Sequence, residues 1–205
     1  EEFDVVNTKT STLTVKVLRM MQAWDKRWFP SEAGGLSSKP LDTWILDETF
    51  KKIVLGSASD SMSGALAAEA IGILKDAIKI GESRRKKAAR VQLLDLLRNS
   101  SSSFTKIITH STHAELLATV IQVVREISLD SSVYGRELAE EAKIATWMWI
   151  EEKLIKKILR NSKNGRTRMQ GLIFLADVSL DRTHHGYQEA RAQVGELILE
   201  VIDGE

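Results

Sequence analysis

The chain has no cysteine and only two prolines, both before residue 41, in 205 residues. Without thiols neither a disulfide framework nor a thiolate metal site can form, and a reducing setting fits, so the expected location is intracellular, cytoplasmic or nuclear. With no proline after Pro40, no later backbone position lacks its hydrogen-bond donor, and helices can run uninterrupted. Aromatic residues make up only 6% of the chain, and none are interleaved with its basic clusters in the way that single-strand nucleic-acid readers use them. No apolar run approaches the roughly 20 residues of a membrane span, so no membrane partner is expected. The sequence carries no GxSxG elbow, no GxxxxGK[ST] or GxGxxG loop and no HExxH pair. An enzyme is therefore not expected, nor a cofactor, a metal or a small-molecule substrate. The chain opens on Glu1-Glu2-Phe3, without methionine or an apolar leader, and reads as a piece of a longer protein.

What is present favours helix. Hydrophobic residues make up 43% and charged residues 28%, with leucine, alanine, glutamate, lysine and arginine dominant after residue 40. The expectation is one all-α domain spanning 1–205. The most informative feature is an internal repeat. Setting Phe104 on Ile155, a shift of 51 positions, aligns Lys106 with Lys157, Ile107 with Ile158, Ser111 with Ser162 and Glu126 with Asp177. It also aligns Ser128-Leu129-Asp130 with Ser179-Leu180-Asp181, and the run needs no gap. A weaker copy starts at Phe50 and, after a four-residue insertion, brings Leu74 and Asp76 onto Val124 and Glu126. Repetition of this kind marks stacked helical units, none of which can bury its apolar face alone.

Read in order, 1–40 gives an N-terminal cap helix and a loop. Leu13 to Phe29 has helical spacing, includes the Trp24 and Trp28 pair, and ends at Pro30; the Gly/Ser/Pro-rich stretch 31–40 is a hinge. Residues 41–99 form the first repeat, with a small-residue helix over 61–80 suited to tight stacking. Residues 100–145 form the second, in which Phe104, Ile107 and Ile108 make a short helix and Ser111 or Thr112 caps a longer one. On that longer helix Leu117, Val120, Ile121, Val124 and Ile127 form the core face, while Glu115, Thr119, Gln122 and Glu126 face outward. Residues 146–205 form the third repeat and a C-terminal cap helix, with Leu172, Leu175 and Val178 in the core places of Ile121, Val124 and Ile127. The Trp147-Met148-Trp149-Ile150 cluster is expected to be buried.

A short helix with a K-[IV]-[IVL] ending, a polar turn and a long helix ending in a small polar break resembles the second and third helices of armadillo and HEAT repeats. The resemblance covers about residues 41–202, and the spacing departs from that family's roughly 40-residue unit. It implies an α-solenoid of about three repeats whose long helices line a partner-binding groove, with no catalytic residues.

Two charged constellations are candidate binding features. The first is an acidic ladder, Asp76, Glu126 and Asp177, one per repeat, with Gln122 and Glu115 beside it. On an outward face it would offer acceptors to a basic or extended peptide, and the same pattern also suits a solvated helix face. The second is basic. Lys153, Lys156, Lys157, Arg160, Lys163, Arg166 and Arg168 fall within sixteen residues with no acid among them, and Arg84, Arg85, Lys86 and Lys87 form a further cluster. Such patches attract phosphates or acidic segments. His110, His113, His184 and His185 lack the converging ligands a zinc site needs and read as surface or cap residues. The leading expectation is a non-enzymatic protein-interaction scaffold that binds an extended or helical segment of another protein. The alternative is a nucleic-acid-associated module that holds phosphates on its basic faces.

Overall fold

The computed structural model describes residues 61–80, 83–98 and 103–202. The expected cap helix and hinge of 1–40, the tryptophan pair and the Phe50 copy of the repeat start lie outside the described residues. Within them the chain is all-helical, with no strand. The helices are α1 (Ser61–Ile80), α2 (Ser83–Leu97), α3 (Ser103–His110), α4 (Ala114–Leu129), α5 (Ser131–Tyr134), α6 (Arg136–Glu151), α7 (Leu154–Asn161), α8 (Gly165–Leu180) and α9 (Tyr187–Ile202).

The 51-residue shift is visible in the backbone. The bounds of α7 are those of α3 moved by 51 positions at both ends, and the bounds of α8 are those of α4 moved by the same amount. The turns repeat with them. His113 caps α4, its Nδ1 accepting from the Leu116 amide at 3.3 Å, while its own amide donates to Ser111 Oγ at 3.1 Å. At the equivalent place Asn164 Oδ1 accepts from the Thr167 amide at 3.0 Å, and the Asn164 amide donates to Ser162 Oγ at 3.2 Å. Ser111 therefore braces the cap and does not itself provide it, because the residue two positions later has the extended backbone that aims a side chain at the first turn. The C-terminal ends match as well: Ser128 Oγ donates to the Arg125 carbonyl and Ser179 Oγ to that of Ala176.

Long helices α1, α4 and α8 lie side by side, with α4 between the other two, and each packs on a second helix: α1 on α2, α4 on α6, α8 on α9. A second row runs from α2 to α6 to α9, and the short helices α3 and α7 touch each other. The core follows these contacts. Ile71, Leu74, Ile121, Val124, Trp149, Phe174 and Leu175 are all fully buried, each such side chain contributing about 1.5–3 kcal/mol. Trp149 stacks at a tilt on Phe174, 6.3 Å between ring centres, and its indole N–H donates to Thr105 Oγ1.

Close approach requires glycine at one point of the long-helix row. A methyl group on Gly64 of α1 would stand 2.4 Å from the His113 ring, so the small-residue helix does serve tight stacking. Other expectations need correction. Trp147 of the tryptophan cluster is 39% exposed although Trp149 and Ile150 are buried, because the α6 spacing turns Trp147 away from the core. The unit boundary expected at 145/146 falls inside α6, and the chain breaks instead at Glu152 and Lys153, the latter in the left-handed region at φ 55°.

Candidate functional site

The acidic ladder occupies equivalent places, but on α4 it does not face outward. Thr119 is buried, and Gln122 and Glu126 are half-buried beneath α1, because α4 is a central helix with a neighbour on each side. Glu126 accepts from Lys79 Nζ at 2.7 Å and from Gln122 Nε2 at 2.9 Å, receives the Tyr134 hydroxyl at 3.3 Å, and stands 3.7 Å from Lys75 Nζ. Burial pushes its carboxyl pKa up, but the bonds from Lys79 and Gln122 and the two lysine charges outweigh this, so it lies below the usual carboxylate value. Burial, together with the Glu126 charge, raises the phenol pKa of Tyr134.

One unit further on, Asp177 accepts from Arg125 Nη1 at 3.0 Å. Lys75 and Arg125 are equivalent residues, each immediately preceding a ladder acid, so the base of one unit holds the acid of the next. The sequence carried this signal in Lys75-Asp76 and Arg125-Glu126, and it stops at Ala176-Asp177. Around this row Arg166 pairs with Glu115, and Thr167 Oγ1 donates to the Ala114 carbonyl, both joining the start of α8 to the start of α4. Asp76 also has an interaction partner.

The basic stretch does not form a single face. Lys156 is buried at 5% exposure and pairs with Glu196 and Glu200 of α9; Arg160 also pairs with Glu200. The Lys156 bond lowers the Glu196 pKa, and the Arg160 bond lowers that of Glu200. The acids that pair with Lys156 and Arg160 thus come from α9. Glu141 pairs with Arg98, just past the end of α2. Lys157, one residue after Lys156, turns about 100° round the helix and lines a cavity of about 300 Å³ between α3 and α7. Lys153, Lys157, Lys163 and Arg168 are exposed. Of the second cluster, Lys86 is half-buried and Lys87 exposed, and the side chains of Arg84 and Arg85 lie outside the described residues. Arg90, just beyond it, donates to the Val133 carbonyl at 2.6 Å.

Among the described residues no group of three histidines or carboxylates could hold a metal, and no helix is long and apolar enough to cross a membrane. His184 is not a surface residue. It is buried, with Nδ1 accepting from the Gly186 amide at 3.0 Å and Nε2 lying 2.7 Å from Thr146 Oγ1. The Thr146 hydroxyl is already donating to the Lys143 carbonyl, so the proton between the two side chains belongs to Nε2 and the ring is neutral. Burial lowers the His184 pKa, the nearby Asp181 opposes that, and Lys143 and His185 add to it.

The other feature that sequence reasoning missed is apolar. Leu172, expected in the core place of Ile121, is 50% exposed, and Met169, in the place of the fully buried Ala118, is 52% exposed. Arg125 shows which side of α4 faces α8, and Ile121 and Ala118 lie on that side, one and two turns before it respectively. The equivalent side of α8, Met169, Leu172 and Ala176, faces no further long helix among the described residues. Together with Val194, Leu197 and Ile198 of α9, Leu172 and Ala176 line a groove of about 640 Å³. No protein-family model matches the chain, and no curated protein and no solved structure matches it either.

Proposed function

We propose that this chain is a non-enzymatic interaction scaffold, an α-solenoid of armadillo or HEAT type that holds an extended or helical segment of a partner protein. The observation that carries the reading is the 51-residue recurrence of helix bounds, caps and ion-pair positions from α3–α4 to α7–α8. Units stacked in this way present equivalent surface positions at regular intervals, which is the geometry repeat proteins use to bind long segments. The acidic ladder belongs to the stacking in this reading, since Glu126 and Asp177 are engaged from the preceding long helix. The internal pairing of Lys156, Arg160 and Arg166 leaves fewer cations for phosphates, which favours a protein partner over nucleic acid.

The test is affinity capture with the whole chain, followed by salt titration of the purified complex beside a mixed-sequence DNA duplex. A saturable complex with one polypeptide, only modestly weakened by salt, is the expected result. Duplex binding with a steep salt dependence and no selected polypeptide would contradict it and establish the nucleic-acid alternative.

A further inference from the structure

We propose that the groove between α8 and α9 receives an amphipathic helix of a partner protein, with apolar residues along one side and acidic residues flanking them. This rests on the partner-binding reading and names the surface and the chemistry of its ligand. The repeat itself supplies the argument. On α4, the side carrying Ala118, Ile121 and Arg125 is covered lengthwise by a 16-residue helix, α8. The same side of α8 keeps the shape and increases the apolar content, with Met169, Leu172 and Ala176, and Leu180 beyond them is 79% exposed.

At the ladder position the register changes chemistry. Arg125, which holds an acid, becomes Ala176, so the covering helix meets an apolar seam there and needs no carboxylate at that point. Its charge is selected at the edge of the groove. Arg160 on the rim is already held by Glu200, whereas Arg168 is exposed and has no ion-pair partner among the described residues. Lys163, also exposed, lies in the turn before α8. A helix with an apolar stripe and glutamate or aspartate flanks meets both the seam and the surplus charge, the usual arrangement when an amphipathic helix lies in a groove.

The test uses two fluorescein-labelled peptides of about the 16-residue length of α8, with one shared leucine stripe flanked by glutamates in one and by lysines in the other. Fluorescence anisotropy with the whole chain should show the glutamate peptide binding more tightly. Leu172→Glu should weaken it by at least about ten-fold, corresponding to about 1.4 kcal/mol, and Arg168→Glu should reverse the preference between peptides. Ile198→Glu, on the opposite wall and 55% exposed, is a second groove variant should Leu172→Glu not fold by circular dichroism. Failure of both peptides to bind, or binding that neither groove variant alters, overturns the proposal. Sedimentation velocity decides against the second copy as occupant: a dimer of the chain alone that Leu172→Glu dissociates would overturn the heterotypic helix. A captured partner that binds Leu172→Glu unchanged removes the groove assignment and leaves the partner-binding reading intact.

Discussion

Helices α4 and α8 are the same element in different surroundings. They share length, cap geometry, a serine bonded back to the carbonyl three residues earlier, and an acid held by the preceding long helix. Yet ten residues of α4 are buried against five of α8, because among the described residues α4 has a long helix on each side and α8 has one on only one side. Position in the row, and not residue type alone, decides what an apolar side chain does. Ile121 is core while its equivalent Leu172 is surface.

The sharpest way to break the comparison is to put the same charge at an enclosed and at an open position. Val124→Asp buries a carboxylate without a partner and should cost more than about 4 kcal/mol, enough to unfold the domain. Leu172→Asp, half-exposed, should stay within about 1 kcal/mol. Urea denaturation followed by circular dichroism measures both, and equal losses would remove the distinction between the two helices. Next in size is the close approach on the α1 side of α4. Gly64→Ala should lose about 1–3 kcal/mol by forcing the His113 ring aside, while Gly165→Ala, with nothing near the added methyl, should be neutral or slightly stabilising.

Loss of the Glu126 charge should be smaller. Glu126→Gln leaves Lys79 and Lys75 without their counter-charge and should cost about 1–2 kcal/mol at neutral pH. Because its folded pKa is lowered, the stabilisation from Glu126 is complete above the unfolded value near 4.5. It declines as pH falls through the folded value, so the variant should lack this part of the acid sensitivity in denaturation midpoints taken from pH 6 to pH 3. His184 gives the gentlest effect. Its folded pKa is also lowered, so the unfolded chain takes up its proton first, and stability should fall as pH drops below the unfolded value of about 6.5. A His184→Asn variant should flatten that slope between about pH 7 and pH 5; an unchanged slope would place the proton elsewhere.

Much of this arrangement was legible in residue order. The gapless 51-residue alignment fixed both short helices and both long ones, since periodicity and cap residues act locally. Neighbours were harder to read. The wheel of α4 separates Glu115, Thr119, Gln122 and Glu126 from the core side, but it cannot tell that another helix lies over them. Polar residues between stacked helices and polar residues in water give the same pattern until the pairing base is recognised. Lys75 and Arg125, each beside a ladder acid, were that clue. Leu172 was misplaced for the complementary reason: the alignment transfers identity from Ile121, whereas burial depends on what lies beyond the last long helix. Lys156 and Arg160 looked like an open cationic face because their acids, Glu196 and Glu200, lie some forty residues away in sequence.

The central claim is that the base of one unit holds the acid of the next. A double-mutant cycle on Arg125 and Asp177 tests it most directly, using Arg125→Ala, Asp177→Ala and the double variant, each unfolded in urea at low and at high salt. The two side chains are 19% and 33% exposed, so the account predicts a coupling of about 1 kcal/mol that shrinks with salt. Strictly additive losses, with no coupling at either salt concentration, would contradict it.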